Sequence, residues 1–323
     1  MNEVGGPLIS LRTSSRSVRK KLATSADHLK LAPATYIRRA DYFRLSREDM
    51  VRARAMAWAG ARPTSVIAGL SAATLHDYPL PQWTSSEPIE LSLPNYHHSR
   101  PMKGLLPRHH PPALQEKAVW VRNRFGSARG TDPLLTALDL ARWHRRHLGV
   151  QALDQGLRRG LFSLDELTQV VAGLGPVSGV NIMRQVARQA TPFSDSPRES
   201  MLKSYLFDAG LPAPHQQAQI YSRSGAMLGR FDFFWPEISF AVEYDGQGKY
   251  LGEYGTDREE AVYNDLHRQH ALSNLGITIF RVDKFSFPNG NAIERIGELH
   301  RLLSMRDLPF VNGRWESAGL AWR

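Results

Sequence analysis

The stretch Arg230-Phe-Asp232-Phe-Phe-Trp-Pro-Glu-Ile-Ser-Phe-Ala-Val-Glu243-Tyr-Asp245-Gly246 constrains the fold of this chain more than any other. Two apolar, aromatic-rich runs read as strands joined at Pro236-Glu237, and Asp232, Glu243 and Asp245 interrupt them. In the second run Phe240, Val242 and Tyr244 alternate with Ala241, Glu243 and Asp245, so one face is apolar and the other carries two acids. A hairpin centred near Glu237-Ile238 puts Asp232 across from Glu243, and cross-strand partners have Cβ atoms about 4.5–5.5 Å apart. Carboxylates that close repel each other unless a proton or a cation lies between them. A divalent metal resolves the conflict, and a hard site of carboxylate oxygens suits Mg²⁺. A solvated sheet face is the plainer reading of an acid pair, but these runs are too apolar for an exposed hairpin.

The hairpin sits in the second of two expected domains, since 323 residues suffice for two cores of ordinary size. Residues 1–30 read as a flexible basic arm, with Arg12, Arg16, Arg19, Lys20 and Lys21 and no acid between Glu3 and Asp27. Residues 31–190 read as a mixed α+β domain. In it SREDMVRARAMAWAG is a helix capped by Ser46, and 66–81 a second helix stopped by Pro79 and Pro81. Residues 88–94 and 117–125 alternate as strands. TDPLLTALDLARWHRR is a helix with Thr131 as its N-cap, and Ser163 with Glu166 forms a capping box. TPFSDSP is a linker. Residues 191–305 then give helix (197–209), strands (216–222, 227–235, 238–245), long helix (255–275), strand (277–282) and a last helix (292–305). Residues 306–323 read as a polar tail holding Trp315 and Trp322. The fold class expected is mixed α/β, with a C-terminal core of order αβββαβ.

That order and its residue types resemble the very-short-patch-repair-like (Vsr-like) branch of the PD-(D/E)XK nuclease superfamily, over roughly residues 194–288. The resemblance rests on SPRESMLKSYLFDAGLP with Glu199, RFDFFWP with Asp232, FAVEYDG with Glu243 and Asp245, and NDLHRQHALSNLGITIFRV with Asp265, Arg268 and Arg281. It implies a restriction-endonuclease-like core that hydrolyses phosphodiesters with Mg²⁺, Mn²⁺ being a substitute, because metal activates water and neutralises charge on the phosphoryl oxygens. It also implies Asp232 and Glu243 as primary metal ligands, with Glu199 completing the cluster directly or through water. The plain alternative for Glu199 is an acid favoured by the dipole in a helix's first turn. Asp245 stands where the superfamily usually carries Lys. Lys249, past a Gly-Gln-Gly turn, stands where close relatives often place His and is expected to reach the scissile phosphate, with a surface Lys as its plain reading. Arg268 is expected at a phosphate or the sheet, or in an intrahelical pair with Asp265. Arg281, at the end of a buried-looking strand, is expected to pair with a core carboxylate.

Residues 62–143 resemble the AbiEi-type antitoxins of abortive-infection systems, through SVIAGLSAATLHDYPLP, PIELSLP and TDPLLTALDLARW. Members often begin with a DNA-binding winged helix, which implies a DNA or protein partner for the first domain; here the region 20–60 lacks a marked turn between two helices. A net charge of +10 favours polyanionic partners, DNA first among them. No run is long and apolar enough to span a membrane, the first residues lack a signal-peptide core, and cysteine is absent, so a cytoplasmic protein of bacterial type is expected. His97-His98, His109-His110, His144 and His147 show no zinc-ligand spacing, and no GxxxxGK[ST], GxGxxG or GxSxG occurs. Two functions stand together at this stage. One is a metal-dependent DNA endonuclease acting in phage defence or DNA repair; the other is a non-enzymatic DNA-binding regulator or antitoxin with an inactive nuclease-like domain.

Overall fold

The computed structural model describes residues 7–12, 14–94, 102–245, 270–283, 287, 291–306 and 308–323. It is a mixed α/β structure of two units, Met1–Gly156 with Gly160–Val186, and Leu157–Arg159 with Ala187–Arg323.

The first unit begins with β1 (Ile9–Ser10), α1 (Arg16–Ala23), β2 (His28–Ala32) and β3 (Thr35–Arg38), the strands pairing antiparallel in the order β1-β3-β2. The expected flexible arm over 1–30 is thus a strand, a helix and a second strand wherever it is described. Leu8 and Leu11 are buried and Ser15 caps α1 through Val18 N, so apolar anchoring offsets the dense charge. After α2 (Arg39–Phe43), α3 (Arg47–Ala61) starts at Ser46, whose hydroxyl accepts from Asp49 N at 3.1 Å. Next come β4 (Val66–Ile67), α4 (Gly69–Leu75), β5 (Ile89–Ser92), β6 (Leu105–Arg108), α5 (Pro112–Glu116), β7 (Val119–Asn123) and β8 (Gly126–Gly130). Their sheet runs β6-β5-β4-β8-β7. Ala55, Trp58, Ile67, Ile89, Leu91, Leu105 and Ala128 share one core between α3 and this sheet.

The single helix expected over 66–81 is therefore a short strand followed by a short helix. The β-branched pair Val66-Ile67 finds partners on both sides, and Gly69 (φ +52°) makes the turn into α4. The unit closes with α6 (Pro133–Trp143), α7 (Arg146–Arg158), α8 (Leu164–Ala172) and α9 (Val180–Gln189). Ser163 and Glu166 form the expected capping box. The N-cap of α6 is Asp132, accepting from Leu135 N at 2.9 Å, instead of Thr131, whose hydroxyl bonds Thr136.

Beneath α6 lie two buried polar clusters. Glu90 accepts from Leu70 N at 2.6 Å, from Arg108, and is 3.1 Å from His144 Nε2. Asp139 meets His110 Nε2 at 2.9 Å and Arg142 at 2.7 Å. The histidines that lack carboxylates at sequence-local spacing find them across the fold, 54 and 29 residues away.

In the second unit α10 (Pro197–Asp208) precedes β9 (His215–Tyr221), β10 (Met227–Trp235), β11 (Phe240–Asp245), β12 (Thr278–Asp283), a helix at Asn291–Ser304, β13 (Arg314–Glu316) and β14 (Gly319–Leu320). The sheet runs β12-β11-β10-β9-β13, with β14 also on β9. β9, β10 and β11 are antiparallel neighbours, whereas β12 is parallel to β11, which requires a crossover between them. The helix expected there lies outside the described residues except for helical 270–274.

Separate cores cover the two faces of this sheet. Leu202, Leu206, Phe233, Trp235, Phe240, Val242 and Val282 fill one, and Ala218, Ile220, Phe231, Phe234, Ala241 and Leu272 fill the other. Burial on both faces explains why these strands are nearly continuous in apolar residues. The expected polar tail over 306–323 is also part of the core. Its β13 and β14 extend the sheet, and Trp322 packs edge-on to Phe207 at 5.5 Å.

Candidate active site

The β10–β11 hairpin has the register Phe233↔Val242, Phe234↔Ala241 and Trp235↔Phe240, a centre between Glu237 and Ile238. The ladder ends at Phe233↔Val242, and the next positions outward are Asp232 on β10 and Glu243 on β11. The Asp232 carboxylate leans across to β11, where its Oδ2 accepts from Tyr244 N at 2.7 Å. On its other flank the pairs Phe231↔Ala218 and Phe233↔Gln216 place Gln217 opposite Asp232. Glu243 pairs with Arg281 on the parallel strand β12, and Arg281 Nε reaches Glu243 Oε2 at 3.2 Å. Gln217, Asp232, Glu243 and Arg281 therefore form one transverse row across four strands. Arg281 makes its expected pair with a core carboxylate.

The row crosses an irregular place in the sheet. Phe231 and Phe234 share one core although they are three residues apart, so side-chain alternation slips across Asp232. Opposite, Gln217 holds φ at +53°, in the left-handed region that a non-glycine residue rarely occupies. Such outliers cluster at functional sites, because the surrounding structure must hold them.

Glu199 joins the row through Gln217. It lies in the first turn of α10, which Ser196 caps through Glu199 N at 3.2 Å. Its Oε2 accepts from Gln217 Nε2 at 2.9 Å and Asp195 N at 2.8 Å. Burial pushes its pKa up, against the lowering effect of the Asp195 backbone and Ser196 hydrogen bonds. The Gln217 Oε1 atom is buried and has no hydrogen-bond partner among the described residues. One turn after Glu199, the fully buried Lys203 donates from Nζ to Thr191 Oγ1 at 2.8 Å.

Asp232 and Glu243 thus lie just past the end of the β10–β11 ladder, and Glu199 is hydrogen-bonded to Gln217, the residue opposite Asp232. Among the described residues no three His, Asp or Glu side chains gather as a metal-binding group. Asp245 ends β11 opposite Asp283, and its side chain lies outside the described residues, as do Lys249, Asp265 and Arg268. Sequence reading missed Gln217 and Lys203. Three glutamines in His215–Tyr221 were the available sign of the first, since an inner strand seldom buries amides without use. For Lys203 no local signal exists, because an amphipathic helix pattern gives a lysine to solvent by default.

Chemically, the carboxylates of Asp232 and Glu243 are oxygen donors of the kind a hard divalent cation takes. No family profile matches the chain. Two proteins of Mycobacterium tuberculosis, "Uncharacterized protein MT2308" (strain CDC 1551 / Oshkosh) and "Uncharacterized protein Rv2248" (strain ATCC 25618 / H37Rv), are 31% identical to it over 160 residues. The match covers 48% of this chain, which spans about half (55%) of the length of each relative.

Proposed function

We propose that the second unit is a Vsr-like nuclease of PD-(D/E)XK type that hydrolyses phosphodiester bonds of DNA with Mg²⁺ or Mn²⁺. The observation that carries this reading is the position of Asp232 and Glu243 just past the end of the β10–β11 ladder, with Tyr244 N on one and Arg281 on the other. Asp232 and Glu243 would hold the ion, and Glu199, which does not gather with them, would act on it only through water. The ion would supply an activated water and neutralise phosphoryl charge. The chain's own residues set the geometry. Tyr244 N fixes one Asp232 oxygen, Arg281 fixes one Glu243 oxygen, and Gln217 bridges toward Glu199. Asp245, Lys249 and Arg268 complete the proposal as residues near the scissile phosphate. The αβββ order of α10 to β11, followed by a parallel β12, also supports it.

For the first unit the proposal is AbiEi-like binding of DNA or of a protein partner, in the service of phage defence or DNA repair. The basic helix α1 followed by the β2–β3 hairpin supports the DNA arm of this proposal. The same elements favour a second reading, a DNA-binding regulator without turnover, as does Arg281 occupying an oxygen of Glu243.

Plasmid cleavage with Mg²⁺ or Mn²⁺ separates the two. Wild type is expected to nick or linearise the plasmid, and Asp232→Ala or Glu243→Ala to lose about a hundredfold or more of that rate. Cleavage that survives both substitutions rejects the site. Salt-dependent DNA binding with no cleavage in any metal supports the regulator.

A further inference from the structure

The β7–β8 hairpin of the first unit has no part in either reading, yet one of its faces has unusual chemistry. Trp120 is 73% exposed on β7, the edge strand of its sheet. Directly across from it stands Arg129, whose Nη2 donates to Gln115 O at 2.7 Å, so a cation is anchored beside the indole. Arg122 follows two residues along the same face and is exposed, and exposed Lys117 leads into the strand. Opposite Arg122 lies Ser127. The inward residues Val121 and Ala128 pair with each other, and Ala128 belongs to the core under α3. The outward face of the ladder, Trp120, Arg122, Ser127 and Arg129, therefore holds an indole and two guanidiniums and no carboxylate.

An apolar partner would cover two guanidiniums on this face without supplying a counter-charge. A polyanion carrying flat aromatic groups matches all of it. Duplex DNA keeps its bases stacked inside, whereas a single strand offers both base faces and phosphates. We propose that this hairpin face binds single-stranded nucleic acid, with Trp120 stacking on a base and Arg122 and Arg129 beside the flanking phosphates. The inference stands apart from the nuclease proposal, because binding here requires neither metal nor Asp232.

The test is anisotropy of a labelled oligothymidylate of about 20 nucleotides, titrated in EDTA with the full chain as wild type, W120A, W120F and R122A. W120A is expected to weaken binding about tenfold or more, with W120F keeping most of it. The salt slope should stay unchanged in W120A and fall by roughly 0.7 in R122A. The titration contains no free metal, so a failed nuclease proposal would show only in cleavage. Wild-type binding by W120A overturns the inference. So does a W120A chain that binds normally but changes its mass in solution, which would make the face a protein interface.

Discussion

Two buried glutamates carry opposite electrostatics. Glu90 pays burial, which raises its pKa, but His144 and Arg108 outweigh that and hold it below the ordinary carboxyl value. Glu199 has amide and hydroxyl partners and a screened Arg230, and burial wins. For Glu90 the stabilising contribution is present above the unfolded carboxyl pKa and is lost as pH falls through the depressed folded value. Glu90→Ala, which strands Arg108, should destabilise the first unit by about 3 kcal/mol at neutral pH, read as a lowered denaturant midpoint. For Glu199 the sign reverses: its contribution is full below the unfolded pKa and is lost as pH rises through the raised folded value. Glu199→Gln should therefore raise the Tm of the metal-free protein at pH near 8, and the gain should shrink toward pH about 4.5. A gap that stays constant with pH would show that ionisation of Glu199 is not being penalised.

At the scale of elements, the β10–β11 hairpin was legible because its turn residues and alternation agree on one register, 235 opposite 240. The capped helices were legible for the same kind of local reason: Ser46 and Ser163 bond backbone amides within their own first turns. Elements held by remote partners were not. Val66-Ile67 continues a helix-like pattern, and only pairing with β5 and β8 makes it a strand. The segment after 306 looks polar in sequence, yet Trp315 stacks edge-on to Phe234 and Trp322 sits 8% exposed against Phe207. Strands of three and two residues, β13 and β14, exist because β9 offers them an edge. Trp322→Ala should cost the second unit about 3 kcal/mol, seen as a lower denaturant midpoint. A loss below about 1 kcal/mol would return the segment to the status of a tail.

For the whole molecule, the net charge of +10 lies entirely in the first unit, while the second balances 17 basic against 17 acidic residues, so it is the first unit whose charge favours a polyanionic partner. No helix among the described residues is long and apolar enough to cross a membrane. The register of the β10–β11 hairpin could be read from the sequence, whereas the hydrogen bond from Gln217 to Glu199 could not, because it depends on a left-handed backbone in an inner strand. The most direct test of the nuclease proposal couples metal binding to turnover. Calorimetric titration with Mn²⁺ should run beside single-turnover cleavage of a labelled duplex, in wild type and Asp232→Ala. The expected result is saturable Mn²⁺ binding with cleavage in wild type, and loss of both together in the variant. Duplex bound without cleavage at any Mn²⁺ concentration, or cleavage undiminished in Asp232→Ala, would contradict it.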